Sequence, residues 1–583
     1  VTNQLQEAVS VISGAPLPPM EDTSDFQDFI RETVTRVSQV ASSHPVGPGQ
    51  TIDLTDLPYI AVTHDDYILG GSDRDLLEQG AGDDTILGLE GSDTLQGGAG
   101  NDTLNGGSGF DYVTYSDSTS GVSINFLTNT ATDGFGGTDT LVDIESARGS
   151  SHNDTLTGND DGNALWGEAG DDLIIAGNGY NYITGGSGDD TLRGGTGLDI
   201  LAYSAEDGRN GVLVNLITGT ATDSYGDTDS FSGFEQVRGT EYDDHLIGDA
   251  NNNDLRGNSG DDSLEGNGGD DSLSGADGND TILGGFGFDT ITGGSGADSI
   301  DGEGNADSLM GGDGNDILIG GVGTDHLYGD ADNDTLSGGS EADRLYGGEG
   351  DDELRAGSNV GLTVDGLFGG DGNDSLYGDG GYDHLEGGDG NDYLNGGDQA
   401  DNLYGDAGND SLYGGQGLDR MFGGDGNDHL EDTLDNNGFF GEGGNDTMIA
   451  GNGNDRFFGG TGNDIISAGG GNDSIYGGAG FDTIIGGAGN DVMRGDFNAD
   501  TFVFEDGHGA DTIQDFDTNT NLEQIDLSGV SAISNVNDLN LGSATSGAAT
   551  QVGVDVVIDT GGGNSIRLTG VNIADLEAGD FIF

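Results

Sequence analysis

The chain has 583 residues, 118 of them glycine, and its 108 acidic against 14 basic side chains leave a formal charge of -94. Binding a nucleic acid needs a basic face that this chain cannot assemble, and the absence of cysteine removes disulfides and thiolate metal sites together. With only 32% apolar residues, the chain can fold only if something neutralises its carboxylates, so a cation is the natural partner.

At the amino-terminal side, Ser24 and Gln27 make a capping-box pattern, and Phe26, Phe29, Ile30, Val34, Val37 and Val40 continue a helical stripe to about residue 41. Residues 1–65 are therefore expected to hold a helix and then an edge strand. The helix is expected to cap whatever follows, with docking on a neighbouring subunit as the alternative. The segment lacks the basic-then-apolar pattern of a removable secretory leader, and no run of about 18 apolar residues is present to span a bilayer.

From Asp66 a nine-residue rhythm begins: an acid recurs at Asp75, Asp84, Asp93, Asp102 and Asp111, and an apolar residue follows each two places later, from Ile68 to Val113. The register lapses over 114–153, resumes as Asp154, Asn163, Asp172, Asn181, Asp190 and Asp199, and lapses again over 202–243. A third block runs from Asp244 to Asp500 with one slip of four extra residues between Asp352 and Asp365. In all 41 copies the residue two places after the acid is Leu, Ile, Val, Met or Phe, and the acid is replaced by Asn only at 163, 181, 253 and 437. A flexible Gly/Asp linker has no reason to keep an apolar residue in phase.

The half-repeat of paired glycines reads as a tight turn, in which left-handed backbone costs little and carbonyls can approach an ion. The other half, acid-x-apolar-x, reads as a very short strand whose alternation sends the apolar side chain inward. Two units then make one coil, and stacked coils make two parallel sheets around a thin apolar seam. The third block alone would give about 14 coils, a stiff rod of about 70 Å at roughly 4.8 Å per layer.

"GGDGNDHLE" at 423–431 and its copies resemble the RTX nonapeptide family, G-G-x-G-x-D-x-U-x with U apolar, from residue 66 to about 502. The resemblance implies an all-β fold, a calcium-bound parallel β-roll, with Ca²⁺ between successive turns along each edge. Aspartates eighteen residues apart, such as Asp410 with Asp428, would supply carboxylates, and glycine-turn carbonyls most other ligands. Hard oxygen donors in a flexible shell suit Ca²⁺ better than Mg²⁺. The expected ligands are Asp75, Asp84, Asp93, Asp102 and Asp111 in the first block, and Asp172, Asp190 and Asp199 in the second. In the third block they are Asp262, Asp271, Asp280, Asp289, Asp298, Asp307, Asp316, Asp325, Asp334 and Asp343, then Asp374, Asp383, Asp392, Asp401, Asp410, Asp419 and Asp428, then Asp446, Asp455, Asp464, Asp473, Asp482 and Asp491. At roughly one ion per repeat, about 35 ions would offset about 70 charges, so folding is expected to be calcium-coupled.

The two lapses, 121–150 and 211–240, are copies of one module, expected to pack on the roll as small β insertions that serve as spacers or lateral contacts. After Asp500, the alternating segments to Phe583 resemble the carboxyl-terminal region of RTX proteins exported by type I systems, which implies a closing β cap with an uncleaved secretion signal over 503–583. Asp511, Asp515 and Asp517 there are candidates for a last ion.

No H-E-x-x-H or G-x-S-x-G motif is present, and His245, His326, His384 and His429 fall on outward strand positions, so no enzyme activity is expected. The reading is a secreted, calcium-binding structural protein that self-associates into a surface layer, filament or matrix. The alternative is a calcium-dependent adhesin that binds a cell-surface glycan through the insertions.

Overall fold

The structure, a computed structural model, describes residues 65–206, 208–358, 364–518, 523–541 and 548–583. The helix expected from Ser24 lies outside them. In the repeat blocks a strand of three to six residues begins after nearly every repeat acid, as in Ser411–Gln416 and Arg420–Asp425. Along Ser411–Gln416, Leu412 and Gly414 are buried while their neighbours are half-buried or exposed.

Successive repeats enter opposite sheets. Ser411–Gln416 pairs in parallel with Tyr393–Asp398, placing Leu412 beside Leu394, while Arg420–Asp425 pairs in parallel with Asn402–Ala407, placing Met421 beside Leu403. Eighteen residues thus close one coil, and the apolar positions form a seam between the sheets. From Ile86 to Phe502 every one of them is buried; only Ile68 and Leu77, at the start of the array, are partly covered.

The glycine pair makes the corner. Gly424 sits at φ +106°, in the left-handed region, and a Cβ on Gly423 would lie 2.5 Å from Asp428 Oδ2 and 2.8 Å from the Gly441 carbonyl oxygen of the next coil. Any side chain at 423 would enter the space where these two oxygens converge.

Metal-free devices also tie the coils together. On the outer face of one sheet Tyr404, Phe422, Phe440, Phe458 and Tyr476 stack ring on ring at 4.5–5.1 Å, within 9° of parallel. At one corner Asn391, Asn409, Asn427 and Asn445 each donate from Nδ2 to Oδ1 of the asparagine one coil earlier, at 2.8–3.0 Å. Aromatic stacking adds about 0.5–1.5 kcal/mol per pair beyond burial.

The duplicated modules are spliced into the wall and do not pack upon it. In the first, Thr138–Val142 pairs in parallel with Thr103–Ser108 and antiparallel with Thr130–Thr132, which pairs antiparallel with Ser123–Asn125, which pairs in parallel with Thr155–Thr157. The opposite sheet gains only Ser146–Arg148, between Tyr112–Thr114 and Ala164–Ala169. One sheet therefore acquires two strands that the other lacks. The second module repeats this through Leu213–Asn215, Thr220–Thr222 and Thr228–Ser232.

Beyond Asp500 both sheets continue. Thr501–Glu505 pairs with Gln524–Gly529, which pairs with Phe581–Ile582, while Ala510–Ile513 pairs with Asn564–Leu568, the last strand of an antiparallel meander with Ala549–Val552 and Asp555–Gly561. A short helix, Val536–Leu539, is capped by Asn535.

Candidate metal centres

Each repeat acid splits its two oxygens between different tasks. The backbone N–H of Asp410 donates to Oδ1 of Asp428 at 2.9 Å, that of Asp392 donates to Asp410 at 2.8 Å, and that of Asp374 donates to Asp392 at 2.8 Å. Along each edge these bonds form a ladder with an eighteen-residue step. The second oxygen has no such partner. Of the aspartates expected to be ligands, all but Asp75 are buried, and all but Asp75 and Asp455 leave Oδ2 inaccessible to solvent with no hydrogen-bond partner. Asp66 and Asp352 add to the same set. Asp75 is half-buried and its Oδ2 accepts from the Gly71 N–H at 2.5 Å.

Burial is the main cause of the raised pKa values along the ladder, with neighbouring carboxylates adding to it: Asp172, Asp190, Asp262 and Asp401 are pushed up to about 8, and Asp102, Asp392 and Asp491 to about 7. Asp133 gives the contrast. Burial raises it too, but N–H donors from Gly100, Gly137, Phe135 and Gly136 outweigh that and its pKa falls. A long file of buried carboxylates without such donors is unstable at neutral pH unless cations lie among them.

The donors present fit a hard cation. Beside Gly396 the Oδ2 of Asp401 and the carbonyl oxygen of Gly414 converge, and beside Gly423 the Oδ2 of Asp428 meets the carbonyl oxygen of Gly441. Among the described residues no group of three or more His, Cys, Asp or Glu side chains forms a conventional metal cluster. Each candidate site instead combines carboxylate with backbone carbonyl, an all-oxygen set of the kind Ca²⁺ takes.

Several rungs are completed by protein donors. Tyr115 and Tyr203 are fully buried in the two modules, and their hydroxyls donate to Oδ2 of Asp139 at 2.8 Å and of Asp229 at 3.1 Å. Oδ1 of those two acids accepts from the N–H of Asp102 and Asp190, so they stand in the ladder. Glu145 and Glu235 do likewise for Asp111 and Asp199. Where the register resumes, Ser150 donates from N–H and Oγ–H to Asp154, and Thr240 to Asp244. At the carboxyl-terminal end Asp511 Oδ1 accepts from Asp491 N–H, and buried His508 donates from Nδ1 to Asp511 Oδ2 at 2.5 Å while Nε2 meets Thr560 Oγ1 at 2.7 Å. Of the three acids proposed for a last ion, Asp511 is thus engaged by an imidazole, and Asp515 accepts from the N–H groups of Gly495 and Asp496 on the opposite edge.

The model of the RTX calcium-binding nonapeptide repeat matches residues 78–113, 148–201, 229–359, 368–430 and 440–502, more than half of the chain. The chain belongs to the RTX calcium-binding repeat family. Its matched segments leave out residues 114–147 and 202–228, which hold most of the two modules, together with 360–367 at the four-residue slip and 431–439. No curated protein matches the chain. Among solved structures, the extracellular lipase LipA from Serratia marcescens is 18% identical over 45% of this chain, with a TM-score of 0.17, and the match spans 40% of the lipase's length. Among the described residues no helix is long and apolar enough to cross a membrane.

Proposed function

We propose that this RTX chain is a secreted structural protein whose roll folds on binding Ca²⁺ outside the cell and assembles into a surface layer, filament or matrix. The observation that carries the reading is the file of buried, partnerless Oδ2 atoms between Asp84 and Asp491, which this reading assigns to Ca²⁺. When bound, the ions supply the positive charge and coordination that these oxygens lack. The chain's own residues do the rest: the N–H to Oδ1 ladder sets each carboxylate's direction, the glycine corners bring carbonyls up to it, and the apolar seam excludes water.

RTX proteins typically leave the cell by type I systems, and export without calcium followed by folding in a calcium-rich medium suits a ladder that needs cations. Continuous outer rows of stacked rings and asparagines stiffen the roll along its length. On one turn Phe286 and Phe288 are 77% and 62% exposed, apolar points on an acidic surface where a second roll can rest. A glycan-binding role receives less support from the aromatic row. Its rings cover one another's faces and leave mainly edges outward, whereas a sugar stacks on a face.

Electron microscopy of chelator-treated protein before and after calcium addition tests the assembly. Ordered filaments or lattices appearing with calcium support it; isolated rods at every protein concentration overturn it and leave the calcium-folded roll as a monomeric module.

A further inference from the structure

The nine residues that the family model leaves out between 431 and 439 depart from the repeat in two ways. Asp432 stands where the first corner glycine belongs, and Asn437 stands where the ladder acid belongs. The ladder itself is unbroken, because Asn437 Oδ1 accepts from Asp419 N–H at 2.9 Å and Asp455 Oδ1 accepts from Asn437 N–H at 2.6 Å. The Asn437 amide nitrogen turns to the Leu434 carbonyl oxygen at 2.5 Å, so this rung brings no second carboxylate oxygen from the usual place.

Asp432 brings one from another place. One coil earlier on the same edge, the space beside Gly396 is shared by Asp401 Oδ2 and the Gly414 carbonyl oxygen. Beside Gly414, at the equivalent point of the next coil, a Cβ would lie 2.9 Å from Asp419 Oδ2 and would collide with Asp432 Oδ2, a side-chain oxygen where the regular coil offers a carbonyl. Both acids are buried and both Oδ2 atoms lack a partner, while Asp432 Oδ1 is fixed by the Leu434 N–H at 2.9 Å. Two buried carboxylate oxygens converging on one point need either a shared proton or a cation between them. An open groove of about 500 Å³, lined by Tyr377, Tyr393, Tyr413 and Asp432 itself, gives an ion a way in.

We infer that Asp432 and Asp419 hold a Ca²⁺ site of their own composition, in which a side-chain carboxylate at the glycine position replaces a backbone carbonyl and makes good the charge missing at Asn437. This rests on the calcium reading of the ladder, and predicts a site that keeps the charge of its neighbours although one carboxylate comes from the glycine position. The pair of substitutions is a relocation of the acid, not a decayed repeat.

The test is the crystal structure of the full chain grown with calcium, joined to hydrogen exchange of residues 433–437 across a calcium titration. The expected result is an ion within about 2.3–2.6 Å of Oδ2 of both acids. Asp432→Asn and Asp432→Gly should each raise the calcium concentration that protects 433–437 by about tenfold or more, with protection near Asp464 and Asp482 unchanged. Ions at regular sites such as Asp428 and Asp446, with Asp419 and Asp432 instead sharing a proton, would overturn this inference alone. So would unchanged protection of 433–437 in both variants. Ions at none of these places would overturn the calcium reading as a whole.

Discussion

The Asp410 backbone N–H is 2.9 Å from Oδ1 of Asp428, one coil away, and the other oxygen of Asp428 meets no donor. That division explains why the repeat demands Asp. Asparagine can accept the N–H, as at 181 and 437, but brings no charge to the corner.

Asp410→Asn should therefore act with opposite sign in two conditions. With calcium bound it removes a charged ligand and should cost about 1.5–3 kcal/mol. Without calcium it removes one buried like charge and should be neutral or stabilising. Urea unfolding in calcium reads the first sign, and the pH at which the chelator-treated roll loses its β signal reads the second, with the variant expected to hold it to an equal or higher pH.

Acidity should do to the metal-free roll what calcium does at neutral pH. Burial pushes Asp172, Asp190 and Asp262 up to about 8 in the folded state, against about 4 for an exposed aspartate in the unfolded chain. The folded state then binds more protons than the unfolded state between roughly pH 4 and 8, so metal-free stability should fall as pH rises through that window. In calcium the dependence should reverse, since the ions require the ionised form. Thermal melts from pH 4 to 8 in chelator and in calcium would detect either slope.

The buried tyrosines of the two modules should matter through one hydroxyl each. Tyr115→Phe and Tyr203→Phe leave Asp139 and Asp229 with an unpartnered buried oxygen, at a cost of about 1–3 kcal/mol. The cost should appear with calcium present, because these rungs are closed by a protein donor. Calorimetry of the two variants in saturating calcium measures it; melting temperatures unchanged from wild type would refute the role.

Much of this was legible in the sequence because the fold is periodic: a residue's place in the nine decides its sheet, its face and its burial, and so the seam from Ile86 to Phe502 could be read directly. Ladder members inside the modules escaped that reading. Asp139 and Asp229 lie off the nine-residue register, since two looped-out strands separate them from their partners, while Glu145 and Glu235 stand nine residues before Asp154 and Asp244 but carry Glu where the repeat has Asp. A local signal was nevertheless present, for each is followed two places later by a buried residue: Leu141, Ala147, Phe231 and Val237. Splicing into the wall could not be read, because alternation marks a strand and not its neighbour. Nor does spacing say which acids already own a donor, as Asp511 owns His508 through a contact that depends on the cap.

The most direct test of the account is a calcium titration of chelator-treated full-length protein followed by far-ultraviolet circular dichroism. The account predicts a largely unordered spectrum at neutral pH without calcium and a cooperative rise of β signal as calcium is added, with many ions taken up per chain. A β-rich spectrum at pH 7 in excess chelator, unchanged by calcium, would contradict it, since the buried Oδ2 atoms would then have needed no cation.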